Sequence, residues 1–124
     1  MIRAAVLGCG RIGAGLGWEP APYLYDHCSA YLALKDRVKL EWVFDPDPKR
    51  AWTAGDKFNV PSVWARPSWS YWPTALREAL IENLVDVVSI CTQPEYRGRL
   101  VSLLSEYPSI RGAWIEKPLA LPSV

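Results

Sequence analysis

Six residues near the N-terminus, Gly8-Cys9-Gly10-Arg11-Ile12-Gly13, have the spacing GxGxxG. Glycines so spaced permit a tight turn and let backbone N–H groups approach an anion, above all a pyrophosphate. The pattern is weakly specific by itself, because glycines also serve plain turns. Its weight comes from the apolar run Ala4 to Leu7 directly before it, which reads as a buried strand ending at Gly8. A strand running into such a turn makes Gly8, Gly10, Arg11, Ile12 and Gly13 candidate dinucleotide-binding residues.

Asp45 closes a second apolar run, Val38 to Phe44, and is placed to accept hydrogen bonds from ribose hydroxyls. It stands farther from Gly13 than the usual ~20 residues, an excess that an inserted loop over 14–25, rich in Gly, Pro and aromatics, absorbs. The competing reading of Asp45 is a turn cap before Pro46. Its charge would repel a 2′-phosphate and favours NAD, while Lys49 and Arg50 close by keep NADP open.

The remaining reactive types are few. Cys9, Cys28 and Cys91 form no CxxC pair, and His27 is the one histidine, which argues for a reducing, cytoplasmic setting and no metal. Cys9 and Cys91 flank the presumed site without a neighbouring histidine and read as small buried residues. His27 reads as a hydrogen-bonded packing residue on a helix rather than a general base.

These residues need a scaffold. His27, Ala30, Tyr31 and Leu34 recur at helical spacing behind Asp26 as N-cap; Asp47-Pro48 opens a helix reaching about Phe58. Val60 to Trp64 is a weak third strand, and 69–73 an irregular aromatic stretch before a helix bearing Leu76, Ala79, Leu80 and Leu84. Val85 to Cys91 is apolar on both faces, as a central parallel strand requires. Pro94 opens a helix with the stripe Leu100, Leu103, Leu104, Tyr107, and Gly112 to Ile115 is a fifth strand ending at Glu116. Alternating strands and helices predict an α/β, doubly wound parallel sheet whose ligands bind at the strands' carboxyl ends.

Composition sets the outer bounds. With 124 residues, half of them hydrophobic, a single domain over 1–124 is expected. Fourteen basic against thirteen acidic side chains give a net charge of +1, which argues against nucleic acid or an anionic membrane as partner. No stretch approaches the ~20 apolar residues of a membrane span. Seven tryptophans exceed what so small a core holds, so some belong to interfaces, and a homo-oligomer is expected.

Read in order, GCGRIG, FDPDP, VDVVSICTQPEYR and IEKPLA resemble the N-terminal domain of the Gfo/Idh/MocA family, the glucose-fructose oxidoreductase and inositol dehydrogenase group. The resemblance spans nearly the whole chain. It implies that the loop Thr92-Gln93-Pro94 packs against the nicotinamide side of a bound NAD(P), and that Glu116 and Lys117 border the active site. It also implies that Lys117 approaches the substrate hydroxyl, a task for which a partly buried lysine suits, with Glu116 orienting it. Pro118 follows, and the resemblance implies that the Lys117–Pro118 peptide is often cis. The family's CTPPxxH pattern is altered here to Gln93 and Arg97, which leaves the histidine's role without a bearer.

Family members continue into a substrate domain. The expectation is therefore a Rossmann domain truncated after its fifth strand, the substrate domain absent: part of an oxidoreductase moving hydride between NAD(P) and a sugar or polyol, not catalytically complete alone. The alternatives are a stand-alone nucleotide sensor or protein-interaction module, and a coenzyme A binding domain, against which Asp45 and the EKP triplet count.

Overall fold

The structure, a computed structural model, describes residues 1–16, 26–65 and 72–117. Its strands are β1 (Ile2–Leu7), β2 (Val38–Asp45), β3 (Ser62–Ala65), β4 (Val87–Ile90) and β5 (Gly112–Ile115). Between them lie α1 (Arg11–Ala14), α2 (His27–Ala33), α3 (Pro48–Phe58), α4 (Trp72–Glu82) and α5 (Pro94–Leu104). The sheet is parallel throughout, in the order β3-β2-β1-β4-β5. The chain winds outward from β1 to β3, then returns to place β4 on the other side of β1. That reversal opens a crevice at the carboxyl ends of β1 and β4.

The alternation of strand side chains divides the core into two layers. Ala5, Leu7, Trp42, Phe44, Val88 and Ile90 face α4 and α5, while Val6 and Val43 face Ala14 of α1, Cys28 of α2 and Ala54 and Phe58 of α3. Local chemistry fixes the helix ends. Asp26 accepts from Ser29 N at 2.8 Å, Asp47 accepts from Lys49 N at 3.0 Å, and Asn59 at φ 52° closes α3.

Several boundaries move from their sequence-predicted places. Leu34 belongs to the turn after α2 and is 50% exposed, and Cys28 takes the buried position instead. Leu84 lies beyond α4 and is 39% exposed. Val60 donates back to Gly55 O at 3.0 Å as part of the exit from α3, so β3 starts later, at Ser62. Tyr107 stands past the end of α5 yet packs, partly buried, on the core. Trp42 and Trp72 are buried, while Trp52 and Trp114 are exposed. The part of the expected insertion over 17–25, the stretch 66–71 and the peptide to Pro118 lie outside the described residues.

Candidate functional site

Backbone hydrogen bonds draw the strand ends into one rim. Gly8 N donates to Phe44 O (2.7 Å), Cys91 N to Leu7 O (2.7 Å) and Glu116 N to Ile90 O (3.1 Å). The rim encloses a cleft of about 380 Å³, within the ~300–1,000 Å³ of small-molecule sites. Gly8, Gly10, Arg11, Ile12, Asp45, Thr92, Gln93, Pro94 and Lys117 all line it, so residues far apart in sequence converge as expected. Gly13 and Glu116 stand outside this lining. Arg50, expected near a 2′-phosphate, and Cys91, expected to flank the site, join it, as does Arg97, to which the sequence had given no role.

Two glycines make the cradle. Gly8 sits at φ +97°, where a Cβ would stand 2.7 Å from the Cys91 carbonyl carbon. At Gly13 a Cβ would fall 1.8 Å from Gly8 O, so only glycine lets the single turn of α1 lie against the loop. Gly10, which lines the cleft, has open space where its Cβ would be.

Asp45 is buried at the end of β2 and already works for the fold. Its Oδ2 accepts from Cys9 N and its Oδ1 from Asp47 N, both at 2.8 Å. Burial pushes its carboxyl pKa up, against the opposing pull of those two N–H donors. The turn-cap reading of Asp45 is thus realised in the geometry, and a ribose would have to share the remaining lone pairs.

The β4–α5 loop is held from behind. Arg97, buried, donates through Nε and Nη2 to Thr92 O at 3.1 and 2.7 Å, and through Nη1 to Glu116 O. One guanidinium so ties the end of β5 to the loop after β4, at the position where the resemblance had a histidine. Its sequence signal was only an arginine in the first turn of α5. Thr92 Oγ1, also buried, has no hydrogen-bond partner among the described residues. A glycine cradle and the basic Arg11 and Arg50 on the lining fit a phosphate-bearing nucleotide.

Lys117 lies at the mouth and is exposed, which corrects the expectation of partial burial. Glu116 does not line the cleft with it. Glu116 Oε1 instead meets His27 Nε2 at 2.8 Å and Trp114 Nε1 at 3.1 Å. The His27 hydrogen bond is the main cause that holds the Glu116 carboxyl below its ordinary pKa. His27 Nδ1 lies 2.8 Å from Ser89 Oγ, and Ser89 Oγ 2.7 Å from the Tyr31 hydroxyl. His27 is the hydrogen-bonded packing residue expected, but its position beside Glu116 was hidden by distance along the chain.

The cysteines are free. Burial pushes the Cys9 and Cys28 thiols well up and the Cys91 thiol up to about 12, so none offers a thiolate near neutral pH. No helix among the described residues is long and apolar enough to cross a membrane.

Comparison with known proteins follows the same lines. The model of the oxidoreductase family with an NAD-binding Rossmann fold, Gfo/Idh/MocA, matches residues 2–124. Among solved structures, the WlbA dehydrogenase from Bordetella pertussis in complex with NADH and UDP-GlcNAcA has 21% identity and a TM-score of 0.68, over 96% of this chain and 30% of its own. A putative myo-inositol dehydrogenase from Sinorhizobium meliloti has 21% identity and a TM-score of 0.69, over 98% and 30%. The WlbA dehydrogenase from Chromobacterium violaceum, with NADH and UDP-GlcNAcA, has 24% identity and a TM-score of 0.67, over 96% and 28%. The chain thus spans under a third of these structures' length, and identities this low speak for the fold. A search of curated proteins finds no match.

Proposed function

Because the chain belongs to the Gfo/Idh/MocA oxidoreductase family and carries its NAD-binding Rossmann fold, we propose that the cleft at the β1–β4 reversal is its dinucleotide site. In this reading the Gly8 to Gly13 loop receives the pyrophosphate, and Asp45 shares its lone pairs with the adenosine ribose. The Thr92-Gln93-Pro94 loop flanks the nicotinamide. The observation that carries the reading is the convergence of the glycine loop, Asp45, the Thr92-Gln93-Pro94 loop and Lys117 on one cleft.

Nicotinamide dinucleotide supplies, when bound, the carrier for a hydride. This chain's residues would position it and hold the substrate's proton. Lys117 Nζ is the group that reaches a substrate hydroxyl, by donating a hydrogen bond while charged and by accepting the proton only where further atoms cover it. The activity proposed for the whole protein is hydride transfer between NAD(P) and a sugar, polyol or related hydroxy substrate. A cytoplasmic setting fits the three free cysteines. The exposed Trp114 on edge strand β5 fits contact with further copies.

Titration of NADH and, separately, NADPH into the purified chain, followed by nicotinamide emission, tests the site. Saturable binding of NADH, competed by ADP-ribose, supports it. Failure of both dinucleotides to bind would overturn it and favour a protein-interaction module.

A further inference from the structure

The group that the proposed site leaves unexplained is the polar chain behind it. Four side chains from two elements, α2 and β4, and the segment after β5 stand in line: Tyr31, Ser89, His27 and Glu116. With the His27 ring neutral, their chemistry allows one direction of donation. An ionised carboxylate only accepts, so His27 Nε2 carries the proton. In the neutral ring Nδ1 then accepts, and the Ser89 hydroxyl must donate to it. Ser89 is fully buried, so its oxygen takes its own donor from the Tyr31 O–H. Tyr31 donates to Ser89, Ser89 to His27, and His27 to Glu116.

The end of the chain is the residue next to Lys117. Glu116 is anchored three ways: its N–H on Ile90 O, its carbonyl on Arg97, and its Oε1 on His27 and Trp114. A carboxylate one residue from an ammonium attracts it when nothing else holds the two apart. Here the carboxylate turns away from the cleft and the lysine stays on its lining.

We propose that His27 is a positioning residue: held by Ser89 on one ring nitrogen and donating from Nε2, it sequesters Glu116 and leaves Lys117 available at the nicotinamide end of the cleft. The proposal rests on the reading of the cleft as the dinucleotide site. It gives a function to a histidine that stands outside the lining of the cleft. Removal of the imidazole leaves Trp114 Nε1 alone to hold the Glu116 carboxylate back from Lys117, so the damage is confined to one end of the bound cofactor.

His27 is the one histidine of the chain, so ¹⁵N NMR of the imidazole is free of overlap. At a pH high enough for the ring to be neutral, Nε2 is expected to carry the proton with Nδ1 as acceptor. A dominant Nδ1–H form or an even mixture would overturn the donor chain, whether or not any ligand binds. In binding, His27→Ala is expected to weaken NADH roughly 3- to 10-fold, a fraction of what a charge-assisted hydrogen bond is worth. ADP-ribose, which lacks the nicotinamide, should bind unchanged. His27→Ala combined with Glu116→Gln should restore NADH affinity, because the freed carboxylate is gone. Equal losses for both ligands, or no rescue, would mean a merely structural histidine and overturn the proposal. Should His27→Ala fail to fold, His27→Gln, whose amide can still donate to Glu116, is expected to keep NADH affinity, and a large loss there counts against it. If the unaltered chain binds neither ligand, the dinucleotide reading falls, and the NMR result alone decides the donor chain.

Discussion

Asp45→Ala is the natural control for ribose binding, yet the structure says that it will first injure the fold. The substitution strips the acceptor from two backbone donors, Cys9 N and Asp47 N. Cys9 is buried, and its N–H would stay dry, at a cost of about 1–3 kcal/mol for an unsatisfied buried donor. Asp47 is exposed, so its N–H recovers a water and adds little. Removing the carboxylate also relieves a burial that disfavours its charge, which offsets part of the loss. The net expectation is a destabilisation of about 2 kcal/mol, concentrated in the glycine loop. Asp45→Asn keeps one acceptor and should lose about half as much if its carbonyl takes the Cys9 donor. Urea denaturation of the three proteins, with hydrogen exchange at the Cys9 amide, measures both quantities. If Asp45→Ala unfolds within about 0.5 kcal/mol of the unaltered chain and the Cys9 amide stays protected, Asp45 does not hold the loop and the reasoning fails. Loss of NADH binding in Asp45→Ala therefore reports on the ribose only when Asp45→Asn, with the loop intact, shows it too.

Three further outcomes follow from the same geometry. Gly13→Ala places a methyl 1.8 Å from Gly8 O and must push α1 off the loop, so NADH binding should be lost, with a drop of roughly 2 kcal/mol or more in a denaturant melt; unchanged affinity would refute the cradle. Arg97→Lys keeps the charge but loses the planar fork that bridges Thr92 O and Glu116 O, and should cost roughly 2 kcal/mol by the same melt, whereas full rescue by lysine would make Arg97 a simple countercharge. Glu116 has a folded-state pKa below its ordinary value, so it contributes stability that is present above about pH 4.3 and is lost as pH falls through the lowered folded pKa; Glu116→Gln should flatten that acid limb in a stability-against-pH series. Asp45, raised instead, acts in the opposite sense in both proteins and cancels in the comparison.

What the sequence made legible, and what it did not, divides along a physical line. The glycine loop, the order of strands and helices and Gly112–Ile115 could be read because each is a local event: a turn needing φ > 0, an apolar period, a capping residue. Leu34 and Leu84 were misplaced because a periodic stripe does not announce where its helix ends, and side chains beyond the end face solvent. The site residues lining the cleft were legible through motifs, but what they do for one another was not. Asp45 spends its oxygens on Cys9 and Asp47, and Glu116 turns to His27, because pairings across 36 and 89 residues have no local signature. Arg97 shows the same limit: as a departure from a pattern it marked only a missing histidine, whereas in space it replaces that ring with a clamp between two loops. The parallel order β3-β2-β1-β4-β5 supplies the missing information, since it alone brings the ends of β1, β4 and β5 together and makes neighbours of residues that share no stretch of chain. Function at such a rim depends on the pairs that the topology creates, so substitutions that break one pair and restore it from the other side will decide the reading more sharply than any single deletion.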